Sequence, residues 1–111
     1  HGLYAGHTRN VRNGNDTLFR GAPCLILIHA PERILSETDC ATAAAYLELI
    51  LPSLGLGSCW AGMLLEACAH GSPAGLDLPE GHKLYAALMV GTPAVSYRRI
   101  PFRSAPVCLW K

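Results

Sequence analysis

The stretch Pro52-Ser53-Leu54-Gly55-Leu56-Gly57-Ser58-Cys59-Trp60-Ala61-Gly62 decides how the rest of the chain is read. Three glycines and a proline fall within eleven residues, between two apolar segments. Pro52 has no N–H and removes the helical bond to the carbonyl of Glu48, so a helix arriving from upstream bends or ends there. Gly55 suits the left-handed residue that closes a helix. Gly55-Leu56-Gly57-Ser58 then reads as a sharp turn, and residues 60–68 as a second helix with Met63, Leu64, Ala67 and Cys68 on one face. Gly55-Leu56-Gly57 is not a dinucleotide fingerprint. The third glycine would fall at position 60, which is Trp60, and a helix rather than a strand precedes it. Residues 58–62 allow two readings. They are the plain start of a helix after a cap, or a row of unpaired backbone N–H groups that donate to the acceptor edge of a flat ligand, approached closely over Ala61 and Gly62.

Upstream, Ser36-Glu37-Thr38-Asp39 marks a helix start, with Ser36 or Thr38 as the capping side chain and two acids at the positive end of the dipole. The helix is expected over 36–54. It is apolar nearly all round, and a chain of this length has few elements to wrap it, so a subunit interface is the natural cover. Cys24-Leu25-Ile26-Leu27-Ile28-His29, bounded by Pro23 and Pro31, reads as a buried strand. Residues 1–17, rich in Gly and Asn, read as an irregular arm ending at the Asn13-Gly14 turn signal, and residues 18–111 as a single domain. Downstream, 71–81 is a loop with Pro73 and Pro79, 83–91 a second strand, and 94–111 an extended arm with Pro101 and Pro106.

The chain has 111 residues, 50% apolar and 15% charged, which excludes a disordered tail and fits one small domain. No apolar run approaches the roughly 18 residues of a membrane span. A net charge of +1 gives no reason to expect nucleic acid or an acidic membrane surface. The charge is uneven. Residues 21–82 carry one Arg and seven acids, while Lys83, Arg98, Arg99, Arg103 and Lys111 follow with no acid after them. Such a basic tail folds back, pairs with a neighbour's acids, or holds an anion, for which the forked guanidinia of Arg99 and Arg103 are the suited groups. The five cysteines (Cys24, Cys40, Cys59, Cys68, Cys108) are odd in number and form no CxxC. They read as reduced thiols in a cytoplasmic setting. Cys59 reads either as a reactive thiol near a helix N-terminus or as a buried, inert cysteine, and with no His or second Cys nearby in sequence the buried, inert one is expected. His29 reads as a strand-end histidine, and the histidine spacing matches no zinc motif. The start at His1 is expected to mark a fragment, a processed product or a trimmed end.

Several segments taken in order carry a resemblance. They are Phe19-Arg20-Gly21-Ala22-Pro23, Ala45-Tyr46-Leu47-Glu48-Leu49, the residues 52–62 quoted above, Leu78-Pro79-Glu80-Gly81-His82-Lys83, Val90-Gly91-Thr92-Pro93 and Tyr97-Arg98-Arg99-Ile100-Pro101-Phe102-Arg103. Over about residues 16–111 the chain resembles the FMN-dependent nitroreductase family, in particular members sometimes fused to a ferredoxin-like domain. The resemblance implies an α+β fold with an antiparallel or mixed sheet and a long buried helix at the interface of a homodimer. It implies FMN as cofactor, and hydride transfer from NAD(P)H through FMN to a nitroaromatic or quinone-type acceptor. It places Cys59, Trp60, Ala61 and Gly62 along the flavin, with the N–H groups of Ala61 and Gly62 towards its N5, and Arg103 and Arg99 on the phosphate. Residues 1–20 lack the Arg-Ser-x-Arg type phosphate motif found in the N-terminal part of longer members. The chain is thus expected to be a truncated, C-terminal portion of the fold. The alternative function is a cofactor-free dimeric structural or interaction module.

Overall fold

The structure is a computed structural model that describes residues 10, 12–71, 76–99 and 101–110. Three strands and two helices alternate along the chain. They are β1 (Cys24–Pro31), α1 (Ser36–Ile50), a 3₁₀ turn (Leu51–Leu54), β2 (Gly57–Trp60), α2 (Gly62–Ala69) and β3 (His82–Gly91). The strands form one antiparallel sheet in the order β1-β3-β2, so β3 is the central strand. The sequence of β3 explains that place. Leu84, Ala86, Ala87, Leu88 and Val90 are all buried, as expected for a strand covered on both faces.

The two sheet faces collect separate cores. Leu84 and Ala87 join Ala61 and Leu64, with Leu25, Leu27 and Met89 packed against them, beneath α2. Leu88 and Val90 join Leu51, with Ile26, Leu47 and Leu56 against them, beneath the end of α1 and the 3₁₀ turn. Leu25 and Leu27 thus face one side and Ile26 the other, the period-2 alternation of a strand.

Several expectations are corrected. β1 runs two residues further than 24–29 and takes in Pro31, which an edge strand tolerates. The α-helix stops at Ile50 rather than near residue 54. Pro52 cannot supply an N–H, so the chain tightens into the 3₁₀ turn, and Gly55 closes it at φ 72° as its sequence position suggests. Neither Ser36 nor Thr38 caps α1. Its N-cap is Leu35, while the Ser36 hydroxyl donates to the Pro31 carbonyl at 2.6 Å and fastens the helix start to the end of β1. The expected helix 60–68 is a strand followed by a later helix, Gly62–Ala69. Residues 57–60 take extended form because the free edge of β3 offers them a ladder, with Ser58 opposite Val90 and Trp60 opposite Leu88. That long-range pairing is invisible to local periodicity.

Only Ser36, Cys40 and Ala44 of α1 are buried, a single stripe at i, i+4, i+8. Tyr46, Leu49 and Ile50 remain exposed. The described part of the arm, residue 10 and residues 12–17, shows a turn at Asn13-Gly14, with both the Asn13 and Asn15 N–H groups donating to the Asn10 carbonyl. The rest of that arm lies outside the described residues. Residues 92–99 and 101–110 carry no helix or strand and are exposed, in agreement with an extended arm.

Candidate functional site

The residues singled out in the sequence fall in two places. Cys59, Trp60, Ala61 and Gly62 form the junction where β2 ends and α2 begins. Arg99 and Arg103 lie on the exposed C-terminal arm. Among the described residues, no hydrogen bond or ion pair joins the two groups.

At the junction each residue has a distinct environment. Cys59 is exposed, and its Sγ lies 3.7 Å from the Trp60 carbonyl. Trp60 is 38% exposed, and its indole N–H donates to Glu48 Oε2 at 2.7 Å. Ala61 is buried in the core beneath α2. Its N–H donates to the Ala87 carbonyl at 2.8 Å. This corrects the idea that every N–H of residues 58–62 is unpaired, because Ala61 spends its donor on the sheet. In the first turn of α2 the Leu64 N–H donates to the Ala61 carbonyl at 3.0 Å, which leaves the N–H groups of Gly62 and Met63 as the helix-start donors with no acceptor within the helix. A Cβ built on Gly62 would meet nothing within 4 Å. The junction therefore presents helix-start donors, an indole and open space above a glycine at the edge of a rigid sheet.

Glu48 was not singled out in the sequence, yet it fixes the indole. The available signal is its type: it is the lone carboxylate in the apolar run Tyr46-Leu47-Glu48-Leu49-Ile50-Leu51. A tryptophan donor twelve residues on, across a turn, is the kind of partner such a group needs.

On the arm, Arg99 lines a surface hollow of about 680 Å³ with Tyr97, Arg98, Pro101 and Phe102. Neither Arg99 nor Arg103 is ion-paired among the described residues. All five cysteines are free thiols. Burial raises the pKa of Cys40, helped by the negative charge of Asp39, and burial alone raises that of Cys68. Both are therefore protonated and unreactive near neutral pH. No helix among the described residues is long and apolar enough to cross a membrane.

Comparison with known proteins adds three findings. Residues 3–92 match the profile of the Nitroreductase family. The match starts well before residue 16 and stops short of Arg99 and Arg103. No curated protein matches the chain. Among solved structures, a nitroreductase with bound FMN from Bacteroides fragilis superposes with a TM-score of 0.69 at 24% sequence identity, covering 95% of this chain and 60% of that one. The chain therefore spans less than two thirds of the length of that neighbour.

Proposed function

The chain belongs to the nitroreductase family, and from that premise we propose that it is the FMN-binding part of a nitroreductase-like oxidoreductase. Hydride would pass from NAD(P)H through FMN to a nitroaromatic or quinone-type acceptor. The observation that carries this reading is the β2–α2 junction, open above Gly62 and bordered by the exposed Trp60. FMN supplies, when bound, a ring that takes up and passes on hydride. Everything else falls to the chain. The helix-start N–H groups of Gly62 and Met63 donate to the acceptor edge of the ring and favour its electron-rich form without adding a mobile charge. Trp60, held by Glu48, gives the ring an apolar flank. Arg99 and Arg103, which make no ion pair among the described residues, suit the phosphate dianion.

The working unit in this reading is a homodimer in a cytoplasmic setting. Its support is the apolar surface left open on one chain. Leu49 is 76%, Tyr46 64% and Leu54 66% exposed, and Phe102 and Trp110 on the arm exceed 90%. Large apolar side chains exposed in this number suit contact with a partner.

FMN titration followed by flavin fluorescence tests the proposal. Saturable binding is expected, weakened by roughly tenfold or more in the Arg99→Ala/Arg103→Ala double variant. Tight binding that survives the double substitution would refute the phosphate assignment. No binding at millimolar FMN would leave the cofactor-free dimeric module.

A further inference from the structure

β1 and β3 bring together two histidines that the junction does not use. His29 Nδ1 and His82 Nδ1 lie 2.8 Å apart, with ring centroids 5.0 Å apart and planes at 63°. The strand register explains the meeting. From Cys24↔Val90 to Ile28↔Ala86 the strands pair one for one, and then the register slips, so that His29 pairs with Leu84 and Pro31 with His82. Successive strand residues point to opposite faces. Without the slip at Tyr85, His82 would face away from His29. Bulges of this kind re-aim a side chain and recur beside functional sites.

The chemistry of the pair is specific. Two Nδ1 atoms in hydrogen-bond contact require one to donate and the other to accept, so a single proton lies between two ring lone pairs. The geometry is specific as well. Two ring nitrogens bound to one ion at about 2.0–2.1 Å stand about 2.9 Å apart in a square-planar centre and about 3.4 Å apart in a tetrahedral one. The observed 2.8 Å is nearer the first spacing than the second, and the two rings need to turn until both lone pairs converge on the ion rather than face each other. Square-planar nitrogen and oxygen sites select Cu(II) or Ni(II). Lys83, next to His82 in sequence, has its Nζ 3.7 Å from Glu32 Oε1. His29 is exposed, so solvent water reaches the pair. Among the described residues no third His, Cys, Asp or Glu joins the pair.

We infer that His29 and His82 form a two-imidazole site for a divalent transition ion of square-planar preference, Cu(II) or Ni(II). Both Nδ1 atoms ligate, and water fills the remaining positions. On binding, two waters leave the ion and the donor ring changes tautomer, its proton moving through solvent from Nδ1 to Nε2, so that both ligands stay neutral imidazoles and no net proton is released. The site is built on β1 and β3 and does not depend on flavin binding.

Ni(II) titrated into the whole chain by calorimetry tests it, with a non-thiol reductant keeping the cysteines reduced. One ion per chain is expected at this site. His29→Ala and His82→Ala should each weaken it by roughly an order of magnitude or more, while His70→Ala, altering a histidine beside Glu66 on α2's end, should leave it unchanged. A second measurement needs no variant: Ni(II) should protect His29 and His82, but not His70, from acylation by diethyl pyrocarbonate, read by mass spectrometry. Absence of Ni(II) binding, binding that survives both substitutions, or equal acylation with and without Ni(II) would overturn the site.

Discussion

At the scale of single residues, Asp16 shows how much a short side chain organises. Its carboxylate accepts N–H bonds from Leu18, Phe19 and Gly21 at 2.8–3.1 Å, and so holds Arg20 and Gly21 at positive φ. The Gly21 bond, then that of Phe19, lowers its pKa below the ordinary 3.8. A lowered carboxylate pKa contributes to the folded turn above the unfolded value and loses that contribution as pH falls through the folded value. The Gly21 amide NMR shift should therefore titrate with a midpoint below 3.8, and a midpoint at or above it would contradict the bonding. Cys59 presents the opposite case. It is exposed rather than buried as its sequence suggests, because it lies on the edge strand β2, and its Sγ lies a long 3.7 Å from the Trp60 carbonyl. Cys59→Ser should change FMN affinity by less than about tenfold, roughly 1.4 kcal/mol. A loss of several orders of magnitude in a folded variant would show that the thiol does chemistry.

At the scale of elements, α1 separates two kinds of apolar residue that look alike in sequence. Ala44 is fully buried against the chain's own sheet, whereas Leu49 is 76% exposed. An arginine at Ala44 is thus a probe of folding and not of association. Ala44→Arg should cost several kcal/mol and unfold the chain, because a lone charge would be buried without a partner. Leu49→Glu should keep the circular dichroism of the folded chain and dissociate the dimer in light scattering. A folded Leu49→Glu dimer would move the interface off this face. The same helix shows what was legible in advance. Its start at residue 36 and the roles of Pro52 and Gly55 were, because proline and glycine act locally, while the expected Ser36 or Thr38 cap is not made. So were β1 and β3, whose apolar runs are bounded by proline or glycine. β2 was not, because Gly57-Ser58-Cys59-Trp60 becomes a strand only by pairing with β3 thirty residues on. The Trp60–Glu48 bond and the histidine pair were hidden for the same reason. Each depends on a register or a crossing that no local period encodes.

At the scale of the whole molecule, the described chain has two unequal parts. One is a sheet with helices on both faces, and the other an exposed basic arm rich in apolar side chains. The radius of gyration is 16.8 Å, against about 13 Å for a compact domain of this length, so much of the chain is not packed against itself. Family membership fits this, since the chain spans 60% of its FMN-bound structural neighbour. A second copy seated on the open face of α1 would cover the apolar surface and set two β2–α2 junctions in one particle. Size-exclusion chromatography with light scattering and flavin absorbance in one run, after incubation with FMN, tests this central claim most directly. The account predicts a particle of twice the 11.9 kDa chain mass that carries flavin absorbance through its peak. A colourless peak, or one at the mass of a single chain, would contradict it.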